Sequence, residues 1–339
     1  MEPTSAQNRA GFTRHFCILF THVIYQRNAI IMPYTRRNFI QTLAMAGAVL
    51  PLKGLAFQPA DRWEIHCFSK PFQWMDYDLL CETFAAAGLD GVDYTVRPDG
   101  HVLPERVKTD LPRAAAAVKR AGMKNLMMTT AILDAKEKYT EQILETAAGE
   151  GIRYYRMGWY DYLKGKPLLE SLQYRNRQLK EITELNKKYN IQAAYQNHAG
   201  IKVGASVWDL YEMIKDVDPA LTGVQYDIRH ATVEGANSWP LGLELISPHI
   251  NSLVIKDTKW VQRNGRYVLE NTPLGEGMVD FKAFFRKVKA LNIHVPLTLH
   301  LEYALLSKAE ETLPVKEKQQ IVLNKLKKDV QTLKGWLKE

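Results

Sequence analysis

From Trp63 onward the chain alternates two kinds of segment. Short runs of apolar, β-branched or aromatic residues read as strands. Longer runs, with apolar positions recurring every three or four residues, read as amphipathic helices. "WEIHCFS" (63–69) precedes the helical "YDLLCETFAAAG" (77–88), and "GVDYTV" (91–96) precedes "LPRAAAAVKRAG" (111–122). "KNLMMTTAI" (124–132) precedes "TEQILETAAGEG" (140–151), and "IRYYRMGWY" (152–160) precedes a long helix over 168–189. The second half keeps the rhythm. Strands over 191–198, 222–230, 250–257 and 295–303 are each followed by a helix, the last one over 315–337.

Strands that stay apolar along their whole length are buried on both faces, as in a parallel sheet covered by helices. Eight such units in about 280 residues predict a (β/α)8 TIM barrel, a fold of ~250 residues. A doubly wound open sheet fits less well, because no Gly-rich fingerprint follows the first strand. "TKWVQRNGRYVLENTPLGEG" (258–277) breaks the pattern. Its Asn-Gly pair between two β-prone runs predicts a small β-hairpin insertion after strand seven, placed over the barrel mouth.

The first 57 residues belong to neither pattern. "TRRNFIQTLAMAGAVLPLKGLAF" (35–57) sets Arg36 and Arg37 before a modest apolar run that ends in small residues. This resembles a twin-arginine export signal, here over 32–57, with 1–31 as an upstream extension and the barrel over 58–339. Its apolar run is too short and too rich in Ala and Gly for a bilayer span of ~20 residues. The expected compartment is the periplasm or another exported location, with no stable membrane span after the signal is removed.

Charge changes this picture little. The formal net charge is +8, but residues 1–56 hold six Lys or Arg and one acid. The remainder holds 39 basic and 36 acidic residues, and its first three quarters carry no basic run interleaved with aromatics, so nucleic acid is not an expected partner. The Lys-rich last helix reads as a solvated amphipathic face. Cys17, Cys67 and Cys81 form no CxxC pattern and read as free thiols.

Candidate chemistry comes from the strand ends, since polar residues there converge on one mouth in a barrel. They include His66, Asp93, Thr129, Arg156 with Trp159, Gln196 with His198, Asp227 with Arg229 and His230, Lys256 with Asp257, and His300 with Glu302. A lone His66 or His300 has a structural reading as a buried hydrogen-bonder, and any one aromatic can be core. Polar groups at all eight ends exceed what packing requires. Positions two apart share a face, so His300 lies below Glu302 and can orient it.

In order and spacing, "YQNHAG", "QYDIRHATVEG", "VIKD", "PLGEGMVDF" and "LHLEY" resemble the last four strands of the sugar phosphate isomerase/epimerase family, the xylose-isomerase-like barrels. The resemblance covers about residues 63–310. It implies a divalent metal such as Mn2+ or Mg2+, held by a glutamate, an aspartate, a histidine and a glutamate from strands five to eight. It also implies two glutamates that move a proton on and off the carbon beside a sugar carbonyl. By position, Asp227 and Glu302 are metal ligands and His230 contacts substrate. Two positions depart: Gln196 stands for the strand-five glutamate and Val254 for the strand-seven histidine, leaving Gln196 and His198 as substitute ligands.

The function expected is an exported sugar isomerase or epimerase, metal-assisted, with Glu302, His230 and Lys256 as catalytic residues. His66, Arg156, Trp159, His198 and Arg229 are expected to contact a small sugar or glycoside, and Arg156 and Lys70 can hold hydroxyls or a carboxylate. Because one of the two family glutamates is absent, a lyase or hydratase acting on 3-keto-glycosides is an alternative. A non-catalytic sugar-binding barrel is another. A DNA-repair nuclease of the same architecture needs a three-zinc cluster that nine scattered histidines do not assemble.

Overall fold

The computed structural model describes residues 62–339. The twin-arginine segment, the upstream extension and Cys17 lie outside the described residues. Eight parallel strands close into a barrel, and in chain order they are β1 (Ile65–Phe68), β2 (Gly91–Val96), β3 (Lys124–Thr130), β4 (Tyr154–Arg156), β5 (Gln192–Gln196), β6 (Thr222–Asp227), β7 (Ile250–Ile255) and β10 (Leu297–Leu299). β1 closes the ring by pairing with both β2 and β10. The helices between them are α1 (Tyr77–Ala87), α2 (Val107–Arg120), α3 (Thr140–Gly149), α4 (Leu168–Tyr189), α5 (Val207–Ile214), α6 (Ile228–Gly235), α7 (Trp239–Ile246), α8 (Phe281–Ala290) and α9 (Val315–Lys338). The expected TIM barrel is the fold observed.

Alternation along each strand sends one set of side chains outward under the helices and the other into the barrel. Tyr94, Tyr155, Tyr195 and Tyr226 all point outward and are fully buried. Each hydroxyl has a partner, as when Tyr155 donates to Asn186 Oδ1 at 2.8 Å and Tyr195 donates to the Val203 carbonyl at 2.8 Å. Burying a phenol ring adds apolar contact only if its hydroxyl stays satisfied, and these partners lock strand to helix or loop. Space is tight at Gly91, the first residue of β2. A Cβ there would run into the Lys124 carbonyl and the His66 ring, so glycine is required by close approach.

Capping fixes where the helices begin. Asp76 accepts from Leu79 N at 2.9 Å, and Asp280 accepts from Ala283 N at 2.8 Å. Asp227 does the same for α6, accepting from His230 N at 3.1 Å. The strand expected to run to His230 therefore stops at Asp227. Arg229 and His230 stand in the first turn of a helix.

The hairpin insertion is β8 (Asp257–Arg263) and β9 (Arg266–Thr272), paired antiparallel along their whole length. Asn264 and Gly265 both take positive φ, 50° and 74°, as a tight turn of the mirrored type requires. At its base, Asp257 points away from the barrel interior and gathers the following loop. Its carboxylate accepts from the backbone of Thr258, Gly275, Gly277 and Val279 at 2.8 to 3.3 Å. Cys67 and Cys81 are buried free thiols, as expected. Among the described residues, no helix is long and apolar enough to cross a membrane.

Candidate active site

The centre of the mouth is Lys256, one residue past β7 and 3% exposed. Its Nζ lies 3.1 Å from Asp227 Oδ2, 3.4 Å from Glu302 Oε2 and 2.9 Å from His230 Nε2. Asp227 is fully buried, and Gln196 Nε2 donates to its Oδ2 at 2.8 Å. Asn197 pins the same backbone from both sides: its Nδ2 donates to the Asp227 carbonyl at 3.0 Å and its Oδ1 accepts from Asp227 N at 2.7 Å. The Glu302 side chain, 28% exposed, rises above this layer into the opening.

Around this cluster stand two aromatic flanks. His198 lies against Trp159 on one side and His230 on the other, with ring centroids 4.6 and 4.1 Å apart. Trp159 donates from its indole nitrogen to the Gln196 carbonyl at 3.2 Å, and the Arg156 guanidinium covers its ring at 4.1 Å. Opposite, His300 stacks on Phe68 at 4.3 Å and places Nδ1 3.5 Å from Glu302 Oε1. Beneath lies Asp93, fully buried, accepting from Thr129 and Thr298 hydroxyls at 3.0 and 2.9 Å.

The charge states follow from these neighbours. Burial pushes the Glu302 carboxyl up, but Lys256, His300 and His230 outweigh it and hold it well below the usual carboxylate range. Burial, reinforced by Lys256, His198 and Arg229, drives the His230 pKa well below 6.5. Burial and Lys256 lower His198 too. Arg229 NH1 approaches His230 Nδ1 at 3.0 Å while Lys256 approaches Nε2. A neutral imidazole has one acceptor nitrogen, so the two donors compete for it. His198 directs Nδ1 at the Ala199 carbonyl, which leaves Nε2 free as an acceptor.

The structure thus brings together nine of the ten expected site residues: Glu302, His230, Lys256, Asp227, Gln196, His198, Trp159, Arg156 and Arg229. His66 is not among them. It sits one layer below Phe68, beside Gly91 and the Lys124 carbonyl at the opposite end of the barrel interior, with neither ring nitrogen hydrogen-bonded. His66 is the second residue of a four-residue strand, so its side chain lies in the layer below the mouth. Sequence reasoning also missed residues. Asn271, on β9, accepts from Arg229 NH2 at 3.1 Å and donates to the Glu302 carbonyl at 3.3 Å. Arg97, just past β2, lies over the Phe68 ring at 5.9 Å. Arg97 directly follows "GVDYTV", a position at the mouth that could have marked it, and nothing local marked Asn271. A cavity of about 890 Å3 at the other end of the barrel, between Trp63, Tyr154, His294 and Leu337, contains none of the site residues.

The expected metal set does not fit a divalent ion. Val254 faces the interior with no donor atom, and Gln196 presents its amide nitrogen to Asp227. The Lys256 ammonium stands between the two remaining carboxylates, where a cation's charge would be needed. Among the described residues, no three His, Cys, Asp or Glu side chains are placed to share an ion. In this arrangement Asp227, Glu302, Gln196 and His198, the expected metal ligands, stand as partners or neighbours of Lys256.

Buried histidines also make stability depend on acid. His66 and His101 are both held at about 4 by burial, against an ordinary 6.5. Between those values the unfolded chain binds more protons, so their contribution is complete above pH 6.5 and lost as pH falls toward 4. For His66 this is about 3 kcal/mol at neutral pH. His198 and His230 act in the same direction. Asp329, raised by burial to about 6, opposes them below pH 6, as does Asp93. The expected result is a Tm that declines as pH is lowered from 6.5 to 4, measured by thermal melts. A Tm that rises over that range would contradict it.

Sequence comparison agrees with this geometry, since the family described as xylose isomerase-like TIM barrel matches residues 81–324, well over half of the chain. The chain belongs to that family. No curated protein sequence matches. Among solved structures of similar fold, a D-tagatose 3-epimerase-like protein is 16% identical, with a TM-score of 0.60 over 81% of this chain and 97% of its own. The IOLI protein with a bound zinc atom is 15% identical, with a TM-score of 0.62 over 81% and 98%. The 3-keto-D-glucoside 4-epimerase of E. coli is 14% identical, with a TM-score of 0.54 over 78% and 99%. At such identities the likeness is one of fold.

Proposed function

We propose that the chain is a sugar isomerase or epimerase-type enzyme that moves a proton on the carbon beside a carbonyl. The observation that carries this reading is the Glu302 carboxylate at the opening, 3.4 Å from a buried ammonium. Glu302 takes the proton from carbon, and the electron pair of the broken C–H bond passes to the carbonyl oxygen. Lys256 Nζ meets the negative charge developing there. In the free enzyme that same ammonium depresses Glu302. A substrate oxygen that draws Lys256 toward itself returns basicity to Glu302 when it is needed. His198 Nε2 accepts from a substrate hydroxyl, and the Trp159 indole walls the pocket. Return of the proton to the same or the adjacent carbon completes the cycle.

The second carboxylate, Asp227, is fully buried and held by Gln196 and Lys256, and Gln196 itself cannot carry a proton at neutral pH. That favours a one-base shuttle. It also supports elimination from a 3-keto-glycoside as a second reading, since one base suffices there. The test is proton NMR of ketoses incubated with the enzyme in deuterated water. Exchange at the carbon next to the carbonyl supports proton transfer, loss of a glycosidic substituent supports elimination, and neither on a panel of ketoses and keto-glycosides would refute both.

This reading needs no metal. Exhaustive treatment with a chelator is expected to leave the exchange rate within about twofold, a limit set by assay scatter and small beside the ~10²-fold effect of removing a real Lewis acid. A loss of tenfold or more, restored by Mn2+, would overturn it. We propose too that the chain is exported through Arg36 and Arg37. Replacement of both by Lys should retain a fused reporter in the cytoplasm, and unchanged export would refute the assignment.

A further inference from the structure

Three guanidiniums line the mouth with nitrogens that have nothing to bond. Arg156 is 2% exposed, yet among the described residues neither its Nε nor its NH1 has a hydrogen-bond partner. Arg97 Nε and Arg229 Nε are buried and unpartnered as well. A buried donor left unsatisfied costs about 1–3 kcal/mol, more when charged, so such groups point to something that satisfies them.

Position sharpens the point. Arg156 ends β4 in register with Thr129 of β3, and Thr129 is in register with Thr95, two residues before Arg97. The two arginines therefore flank one side of the mouth, with β3 between them. Asp93 acts on both, but neither arginine bonds to it, and its oxygens accept from Thr129 and Thr298. Trp159 holds one face of the Arg156 guanidinium and Phe68 lies under Arg97, so both are fixed in orientation. Across the opening, Asp227 and Glu302 are matched by Lys256. Four cations (Arg97, Arg156, Arg229 and Lys256) stand about the opening with Asp93, Asp227 and Glu302, and Asp99 also acts on Arg97, while burial raises the pKa of Asp93. The Arg156 guanidinium itself is lowered to about 10 by burial and by Arg97, the direction expected for two cations awaiting an anion.

We propose that Arg156 and Arg97 form an anion subsite, and that the substrate is a sugar acid whose carboxylate they bind while its keto end lies between Glu302 and Lys256. A carboxylate is planar and carries one charge. It suits a deeply buried fork, whereas a phosphate dianion in so dry a place needs more donors than these. The proposal rests on the proton-transfer reading for the identity of the keto end, and on the arginines alone for the anion.

Three matched probes test it: D-fructuronate, D-fructose and D-fructose 6-phosphate, titrated against the enzyme by calorimetry and by Trp fluorescence. Fructuronate is expected to bind at least tenfold more tightly than fructose. Arg156→Gln should abolish that advantage, and Arg156→Lys should keep part of it. Arg97→Gln, nearer the surface, should reduce it several-fold even if Arg156→Gln fails to fold. Equal affinity for fructuronate and fructose, or an advantage that survives both glutamine variants, would overturn the subsite. A preference for fructose 6-phosphate would overturn the carboxylate. Solvent exchange on the same samples separates the two readings. Selective binding of fructuronate without exchange leaves the subsite standing and removes the proton transfer, and exchange on fructose with no anion preference does the reverse.

Discussion

Replacing Glu302 by Gln should lower solvent exchange by about 10² to 10⁴-fold while leaving substrate affinity within a few-fold. The range is what a positioned general base contributes. Gln keeps the shape and one acceptor oxygen, so Lys256 retains a neighbour, and Tm should change by only a few degrees. The pH profile gives an independent sign. Lys256, His300 and His230 hold Glu302 below the usual carboxylate range, so it stays ionised as the free enzyme is taken from pH 7 to 5. The acid limb of kcat/KM, which reports the free enzyme, should therefore be absent over that interval once unfolding is excluded. That of kcat should appear at higher pH, because a bound carbonyl draws Lys256 away. A loss in Glu302→Gln below tenfold would mean that the proton is taken by another group.

Lys256→Met should be more damaging still, because two effects coincide. Asp227 is completely buried and keeps only Gln196 and the His230 amide once the ammonium is gone. Breaking a buried pair from one side costs about 3–5 kcal/mol, which for a domain of this size lowers Tm by roughly 10 °C. Exchange should fall by about 10² to 10³-fold, the usual consequence of removing a group aimed at developing charge. The double variant Lys256→Met/Asp227→Asn separates these contributions. It removes both members of the pair, so most of the lost Tm should return while the activity does not. If the double variant regained activity, or if Lys256→Met kept its Tm, the ammonium would not be the centre of the site.

Much of the fold could be read from the chain. Helices over 168–189, 239–247 and 315–337 were expected and lie at Leu168–Tyr189, Trp239–Ile246 and Val315–Lys338. In the first and last of these the apolar periodicity is long and uninterrupted, and periodicity is the signal that survives without tertiary information. The strand over 152–160 shrank to Tyr154–Arg156, because an apolar run does not show where the ladder stops and the loop begins. The site was legible as a set of residue types at strand ends. Its wiring was not. Asp227 reads equally as the end of a strand and as the cap of a helix until the chain is folded, and that choice decides where His230 points. His66 was misplaced because strand length, not residue type, sets its depth in the barrel. Arg229, Asn271 and Glu302 are joined across gaps of 42 and 31 residues, and no local pattern encodes such a link. Gln196 and Val254, the two positions at which the sequence departs from the family pattern, are the ones that offer a cation neither a charged oxygen nor an imidazole.

Neighbouring residues at the end of β7 face opposite ways, with Lys256 turned to the pocket and Asp257 to the loop behind it. The two assignments are inseparable, since a strand offers its sides by turns. Slippage by one place would deliver a carboxylate to an already acidic centre and thrust an ammonium among backbone amides that can only repel it. The seventh strand's phase is thus held by two opposite charges that each fit one side.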